Sequence, residues 1–183
     1  MKAERLEIPE IILVTPDRYG DARGFFSETW RQDRFAEAGI DLPFVQDNQS
    51  LSRDRGVVRG LHCQIDPHAQ GKLVRCVRGA IWDIAVDARR GSPTFGKWVA
   101  AELSAANWQQ LWIPPGFLHG FCTLEPATEV IYKVTGVYNR EAERGVLWND
   151  PTLNLPWPVR NGDAVLSEKD KTLPSWAETG ALF

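Results

Sequence analysis

Three histidines are the only imidazoles in the chain, and each stands in a different local context. His62 follows a charged turn, SRDRG, within GVVRGLHCQ (56–64). His119 sits in PPGFLHGF (114–121), between Gly116 and Gly120, where a turn lets a strand begin with an inward histidine. His68 follows Asp66-Pro67 and reads as an exposed loop residue. Imidazole is both the commonest metal ligand and a base poised near neutral pH, so His62 alone is compatible with either chemistry. Strand alternation groups it with other ionisable residues. In GKLVRCVRG, Lys72, Val74 and Cys76 share one face and Leu73, Arg75 and Val77 the other. By the same alternation His119 goes with Phe121 and Thr123, and Tyr132 with Val130 and Val134. If those faces are internal, Lys72, His119 and Tyr132 point into one cavity. Ionisable groups there cost free energy unless they are paired or used.

The elements that must position them are short and β-like. They are KLVRCVRG (72–79), AIWDIAVDA (80–88), WVAAELS (98–104), QQLWIPP (109–115), GFCTLE (120–125) and EVIYKVTGVY (129–138). Gly, Pro, Asn and Ser break them apart, as in ARRGSPTFG (88–96), a spacing that implies an antiparallel sandwich or barrel. Helical signals are few. One is ETWRQDRFAEAGI (28–40), where Trp30, Phe35 and Ala36 share a face before Gly39 stops the helix. A shorter one follows Ser167, with Asp170 at the capping-box position. Prolines 151, 156 and 158 mark an irregular C-terminal segment expected to pack on the barrel. Trp82, Trp98, Trp108 and Trp112 are expected in the core or between subunits.

The bulk composition excludes several functions. A length of 183 residues fits one domain, 1–183. A net charge of -3 argues against a broad nucleic-acid surface, which needs clustered uncompensated cations. No apolar run approaches the ~20 residues of a membrane-spanning helix, and MKAERLEIPEII lacks the apolar core of a signal peptide. The odd set Cys63, Cys76 and Cys122 reads as reduced thiols rather than a disulfide frame. A cytoplasmic protein is expected.

The strand pattern, the Gly-x-x-His in GFLH (116–119) and the earlier histidine beside a strand resemble the cupin superfamily. That resemblance implies an all-β fold, a cupin-like jelly-roll barrel or sandwich with a few short peripheral helices. A metal-binding cupin supplies His-x-His and then Glu from its first motif. Here the region reads His62-Cys63-Gln64, and the next inward ionisable group is Lys72, whose charge repels a metal ion. Alternation also turns Cys63 away from His62. No metal and no other cofactor are expected.

Eight strings then occur in order: DARGFFSETW (21–30), QDNQSLS (46–52), GVVRGLHCQ (56–64), QGKLVRCVRG (70–79), DARRGSPTFGKW (87–98), PPGFLHGF (114–121), WNDP (148–151) and LSEKD (166–170). Together they resemble the dTDP-4-dehydrorhamnose 3,5-epimerase family across nearly the whole chain. The resemblance implies epimerisation at C3 and C5 of dTDP-4-dehydro-6-deoxy-D-glucose, in dTDP-rhamnose biosynthesis. The 4-ketone acidifies both C–H bonds, so the work needs a base, an acid across the ring and a stabiliser of the enolate.

Residue by residue, the resemblance makes His62 the base, Asp170 its dyad partner, Tyr132 the acid and Lys72 the cation near the C4 oxygen. Taken alone, Tyr132 would read as a buried core tyrosine and Asp170 as a capping carboxylate. Substrate-binding roles fall to Arg23, Phe26, Glu28, Gln46, Asn48, Arg59, His119, Tyr138, Glu143 and Lys169. Arg23 and Arg59, each in a glycine-flanked turn, suit a diphosphate. A homodimer is implied, with an N-terminal segment exchanged so that Arg23, Phe26 and Glu28 serve the neighbour's site. Cys63, Val137 and Arg140 depart from the family's pattern, the latter two beside Tyr138. C5-only and C3-only epimerases share the same catalytic set, so they remain alternatives. A cupin-type ketoisomerase would lack it, and a non-catalytic sugar-nucleotide binder would need neither base nor acid.

Overall fold

Alternation of apolar and polar residues dominates the chain, and the backbone follows it: thirteen strands and three short helices in a computed structural model describing residues 1–183. One antiparallel sheet runs β1 (Lys2–Arg5), β2 (Ile12–Thr15), β10 (Gln110–Ile113), β7 (Lys72–Arg78), β12 (Thr128–Val134) and β5 (Gln46–Ser52). The second runs β13 (Glu143–Gly145), β6 (Val58–Gln64), β11 (Phe117–Thr123), β8 (Ala80–Asp87) and β9 (Trp98–Ser104). A separate two-stranded hairpin joins β3 (Tyr19–Asp21) to β4 (Gly24–Phe26). The two large sheets face each other as a cupin-like jelly roll.

Inward residues of both sheets make the central core, including Val74, Cys76, Ile81, Ala85, Leu111, Ile113, Phe121 and Val130. The outer face of the second sheet is not left to solvent. Leu61, Cys63, Ile84, Val86 and Leu118 project there and are covered by Leu153 and Trp176 of the C-terminal segment. That segment carries α2 (Glu168–Lys171) and α3 (Trp176–Thr179), the latter started by a Ser175–Glu178 capping box. On the outer face of the first sheet, Leu73 and Trp112 pack against Phe35 and Ile40.

The structure corrects three local expectations. The first helix, α1 (Gln32–Glu37), is six residues long: Arg31 at its N-cap makes no side-chain cap bond, and Gly39 follows it at φ +93°. Phe35 is the residue it buries, worth about 2 kcal/mol. Trp30 precedes the helix and meets Phe44 edge-on at 5.7 Å. The strand expected to reach residue 138 ends at Val134, so Tyr138 belongs to a loop. Trp108 and Trp112 are buried in the core, and Trp98 stands at the surface of the single chain, a position open to a neighbouring subunit. His68 is half-buried rather than exposed: its Nε2 lies 3.1 Å from Asn139 Nδ2, and its carbonyl accepts from Gln64 Nε2 at 2.8 Å.

Candidate active site

His62 and His119 stand directly opposite each other on β6 and β11, and opposed residues share a face. Arg59 opposes Phe121, so three steps along β6 match two along β11. The extra residue between Arg59 and His62 is a β-bulge. It turns both side chains inward, although unbroken alternation would put them on opposite faces. Glycine makes the bulge possible: Gly60 has φ +119°, and a Cβ there would stand 2.6 Å from Gly120 Cα and from the His119 carbonyl oxygen. Arg59 is therefore a strand residue, not the turn residue its neighbouring glycine implied.

The opposite wall follows plain alternation. On β5, Gln46, Asn48 and Ser50 oppose Val134, Tyr132 and Val130 of β12, and Lys72 of β7 opposes Val134 from the other side. The two walls enclose a cleft with two lobes that share His62, Lys72 and Tyr132. One lobe, about 430 Å³, adds Ser50, Arg59, His119, Phe121, Ser167, Lys169 and Asp170. The other, about 300 Å³, adds Gln46, Asn48, Gln64, Gln70, Tyr138 and Glu143. Lys72, His119 and Tyr132 thus meet in one cavity.

His62 Nε2 lies 2.6 Å from Asp170 Oδ1. Asp170 is buried at the end of the chain's second helix, where the Ser167 hydroxyl accepts its backbone N–H at 3.1 Å. Only that half of a capping box forms, because the Asp170 carboxylate turns to His62 instead. Burial raises the Asp170 pKa, but its interaction with His62, helped by the Ser167 bond and the Lys169 charge, outweighs it, and the net effect is downward. Asp170 thereby anchors the His62 ring through Nε2 and leaves Nδ1 as the ring nitrogen not engaged by the dyad. Lys72 Nζ donates to the His62 carbonyl oxygen at 3.5 Å, and burial lowers its pKa. Burial raises that of Tyr132, which keeps the phenol a proton donor at neutral pH.

A second histidine–carboxylate pair was not legible beforehand. His119 Nε2 lies 3.0 Å from both Asp83 oxygens, and Asp83 is completely buried. The signal was present in AIWDIAVD, where Asp83 alternates inward with Ala85. At the cleft mouth, Tyr138 Oη donates to Glu143 Oε2 at 3.0 Å and Lys169 Nζ pairs with Glu143 Oε1 at 2.5 Å. Burial raises the Glu143 pKa, yet its bonds to Lys169 and Tyr138 bring it down. Tyr138 N–H donates to Gln46 Oε1, and Gln46 Nε2 to Asn48 Oδ1 at 2.8 Å.

Arg23, Phe26 and Glu28 do not reach this cleft within one chain. Their hairpin pairs only with itself. Arg23 is a surface residue ion-paired to Asp21 at 2.6 Å, Phe26 is 66% exposed, and Glu28 faces Arg31 and Arg34. Cys63 lies behind the sheet, where burial pushes its thiol up to about 12. The residues form no group of three or more His, Cys, Asp or Glu able to hold a metal ion.

Comparison with known proteins adds independent findings. The family model described as dTDP-4-dehydrorhamnose 3,5-epimerase matches residues 5–178. A dTDP-4-dehydrorhamnose 3,5-epimerase of Sinorhizobium fredii is 52% identical over 183 residues, covering 100% of this chain and 93% of that protein. The Bacillus anthracis enzyme of the same name, solved with TDP and PPi bound, superposes with TM-score 0.92 at 46% identity, over 95% of this chain and 98% of that one. A dTDP-6-deoxy-D-glucose-3,5-epimerase of Legionella pneumophila, in complex with dTDP-4-keto-L-rhamnose, gives TM-score 0.92 at 42% identity, over 100% and 98%.

Proposed function

From the premise that the chain belongs to the dTDP-4-dehydrorhamnose 3,5-epimerase family, we propose the division of labour that lets its residues invert C3 and C5 of dTDP-4-dehydro-6-deoxy-D-glucose, giving dTDP-4-dehydro-L-rhamnose. The chain is an isomerase-class enzyme. The observation that carries the assignment of roles is the His62–Asp170 pair, set with Lys72 and Tyr132 around one cleft.

His62 Nδ1 takes the proton from the carbon beside the ketone, and the C–H electron pair moves into the ring to give a C4 enolate. Asp170, already ionised, favours the imidazolium so formed. Lys72 donates to the C4 oxygen as its charge grows, in a site where burial makes that charge count for more than in water. Tyr132 returns a proton to the carbon from the opposite face; solvent then takes the proton from His62 and restores the phenol, so that both groups are ready again. Repetition at the second carbon completes the reaction. Arg59 and Lys169 supply the cations a diphosphate needs. Gln46, Asn48, Tyr138, Glu143 and His119 contact the nucleotide and sugar.

The remaining proposals concern context. Residues 1–183 act as one domain, because the C-terminal segment seals a sheet of the barrel rather than making its own core. The protein works in the cytoplasm, in keeping with three buried, unpaired cysteines. No helix is long and apolar enough to cross a membrane. A homodimer completes the site: the exposed Tyr19, Phe25 and Phe26 of the hairpin need a partner surface, and Val45 and Leu51 at edge strand β5 offer one.

Incubation with dTDP-4-dehydro-6-deoxy-D-glucose in heavy water tests the central assignment. Wild-type protein should place deuterium at both C3 and C5, and His62→Ala should place none while keeping its fold. Undiminished exchange in His62→Ala removes the base, and label at one carbon alone identifies a mono-epimerase.

A further inference from the structure

His62 and His119 are each bonded through Nε2 to an aspartate, but the two pairs are built differently. The His62–Asp170 contact is short, 2.6 Å to a single oxygen, and the His62 side chain is 24% exposed. The His119–Asp83 contact is shared, 3.0 Å to each oxygen, and Asp83 has no exposed surface. Asp83 does not line the cleft, whereas His119 does. His119 Nδ1 has no partner within the protein. A short contact to one oxygen suits an imidazole that gains charge; a longer, forked one suits an imidazole that stays neutral.

We infer that Asp83 is a positioning residue: it holds the His119 proton on Nε2, so that His119 presents an unprotonated Nδ1 to the substrate and accepts a hydrogen bond from a sugar hydroxyl. This rests on the assigned epimerase function and deepens it. Lys72 as an ammonium can only donate and so matches the C4 oxygen, which can only accept. His119 in this tautomer can only accept at its free nitrogen, so it matches a hydroxyl and not the ketone. The two inward groups therefore read the oxygens of the ring by opposite hydrogen-bond polarity. Burial lowers the His119 pKa; the charge and hydrogen bond of Asp83 oppose this, Lys72 and His62 add to it, and the net direction is downward, so the ring remains an acceptor at neutral pH. A reversed tautomer would aim N–H at the hydroxyl and leave the buried Asp83 without its donor, which costs both ends of the contact.

Two measurements test this. Long-range proton–nitrogen NMR on histidine-labelled wild-type protein, with the signal assigned by its loss in His119→Gln, should report the Nε2–H form at pH 7. Binding of dTDP-linked 6-deoxysugars lacking a single hydroxyl, at C2 or at C3, forms the second. One of the two analogues should bind wild-type protein about 10-fold more weakly than the parent sugar. In Asp83→Asn, whose amide can donate to Nε2 and release the other tautomer, that penalty should shrink below about 3-fold. A proton on Nδ1 in the wild type, or an equal hydroxyl penalty in both proteins, overturns the assignment. The NMR readout needs neither turnover nor a folded variant at Asp83. Failure of the epimerase reading would appear separately, as absence of deuterium exchange in wild-type protein.

Discussion

The same pair of residue types, histidine and aspartate, occurs twice in this cleft, and accessibility rather than identity separates the two uses. His62 keeps one nitrogen toward the open lobe, where a carbon acid can reach it, whereas His119 is 8% exposed. Tyr132 completes the set from the facing sheet, between Asn48 and Val74. If it returns the proton, Tyr132→Phe separates the two halves of the reaction. Deuterium exchange at the reacting carbons should continue, because His62 is untouched. Formation of the epimerised sugar should slow by about 100-fold or more, the usual contribution of a positioned acid. Unchanged product formation, followed by NMR in the same tube, removes Tyr132 from the acid role.

Loops and strand ends carry as much of the design as the strands. After β8, Asp87 accepts from Arg89 Nε at 2.9 Å, Arg89 Nη2 at 2.7 Å, Ser92 Oγ at 2.5 Å and Thr94 Oγ1 at 2.6 Å. Burial raises its pKa, these donors and the Arg89 backbone N–H at 3.0 Å more than reverse this, and the carboxyl ends at about 2. A carboxylate held below its unfolded value of about 4 adds stability above that pH. The contribution fades as pH falls toward 2. Asp87→Asn should therefore cost on the order of 2 kcal/mol at pH 7. Thermal melts between pH 4 and pH 2 should show the wild type losing its advantage and the two proteins converging; a constant gap across that window excludes this origin. Farther along, Gln64, His68 and Asn139 bind the loop after β12 to the end of β6, which sets Tyr138 over the second lobe.

At the scale of the molecule, the hairpin of β3 and β4 is the unfinished part. Arg23 at its turn is ion-paired to Asp21, yet its side chain is 90% exposed and lines neither lobe of its own chain's cleft. If the hairpin serves a neighbour, two defective chains should repair each other. Arg23→Ala and His62→Ala proteins, unfolded together and refolded, should form hybrid dimers with one intact site in two. About half of the dimers would be hybrid, so about a quarter of wild-type activity should return. Activity no greater than the sum of the separate variants, or a sedimenting mass of one 20.6 kDa chain, would falsify the exchange.

Much of this was readable along the chain, because strand alternation has a period of two and needs no knowledge of the fold. That period tells which neighbours share a face with Lys72, His119 and Tyr132, and the three point into one cavity provided those faces are internal; Gln46 and Asn48 follow the same period. The order of eight strings identified the family, and with it the chemistry. Tertiary structure decided what the period could not express. Arg59 and His62 share a face only because a bulge at Gly60 inserts one residue, an exception visible only when β6 is laid against β11. Asp170 meets His62 across 108 positions. Asp83 looked like any polar residue in an apolar strand until a histidine on the adjacent strand was found to need it. Local pattern determines which way a side chain faces; contact between distant segments determines what it meets.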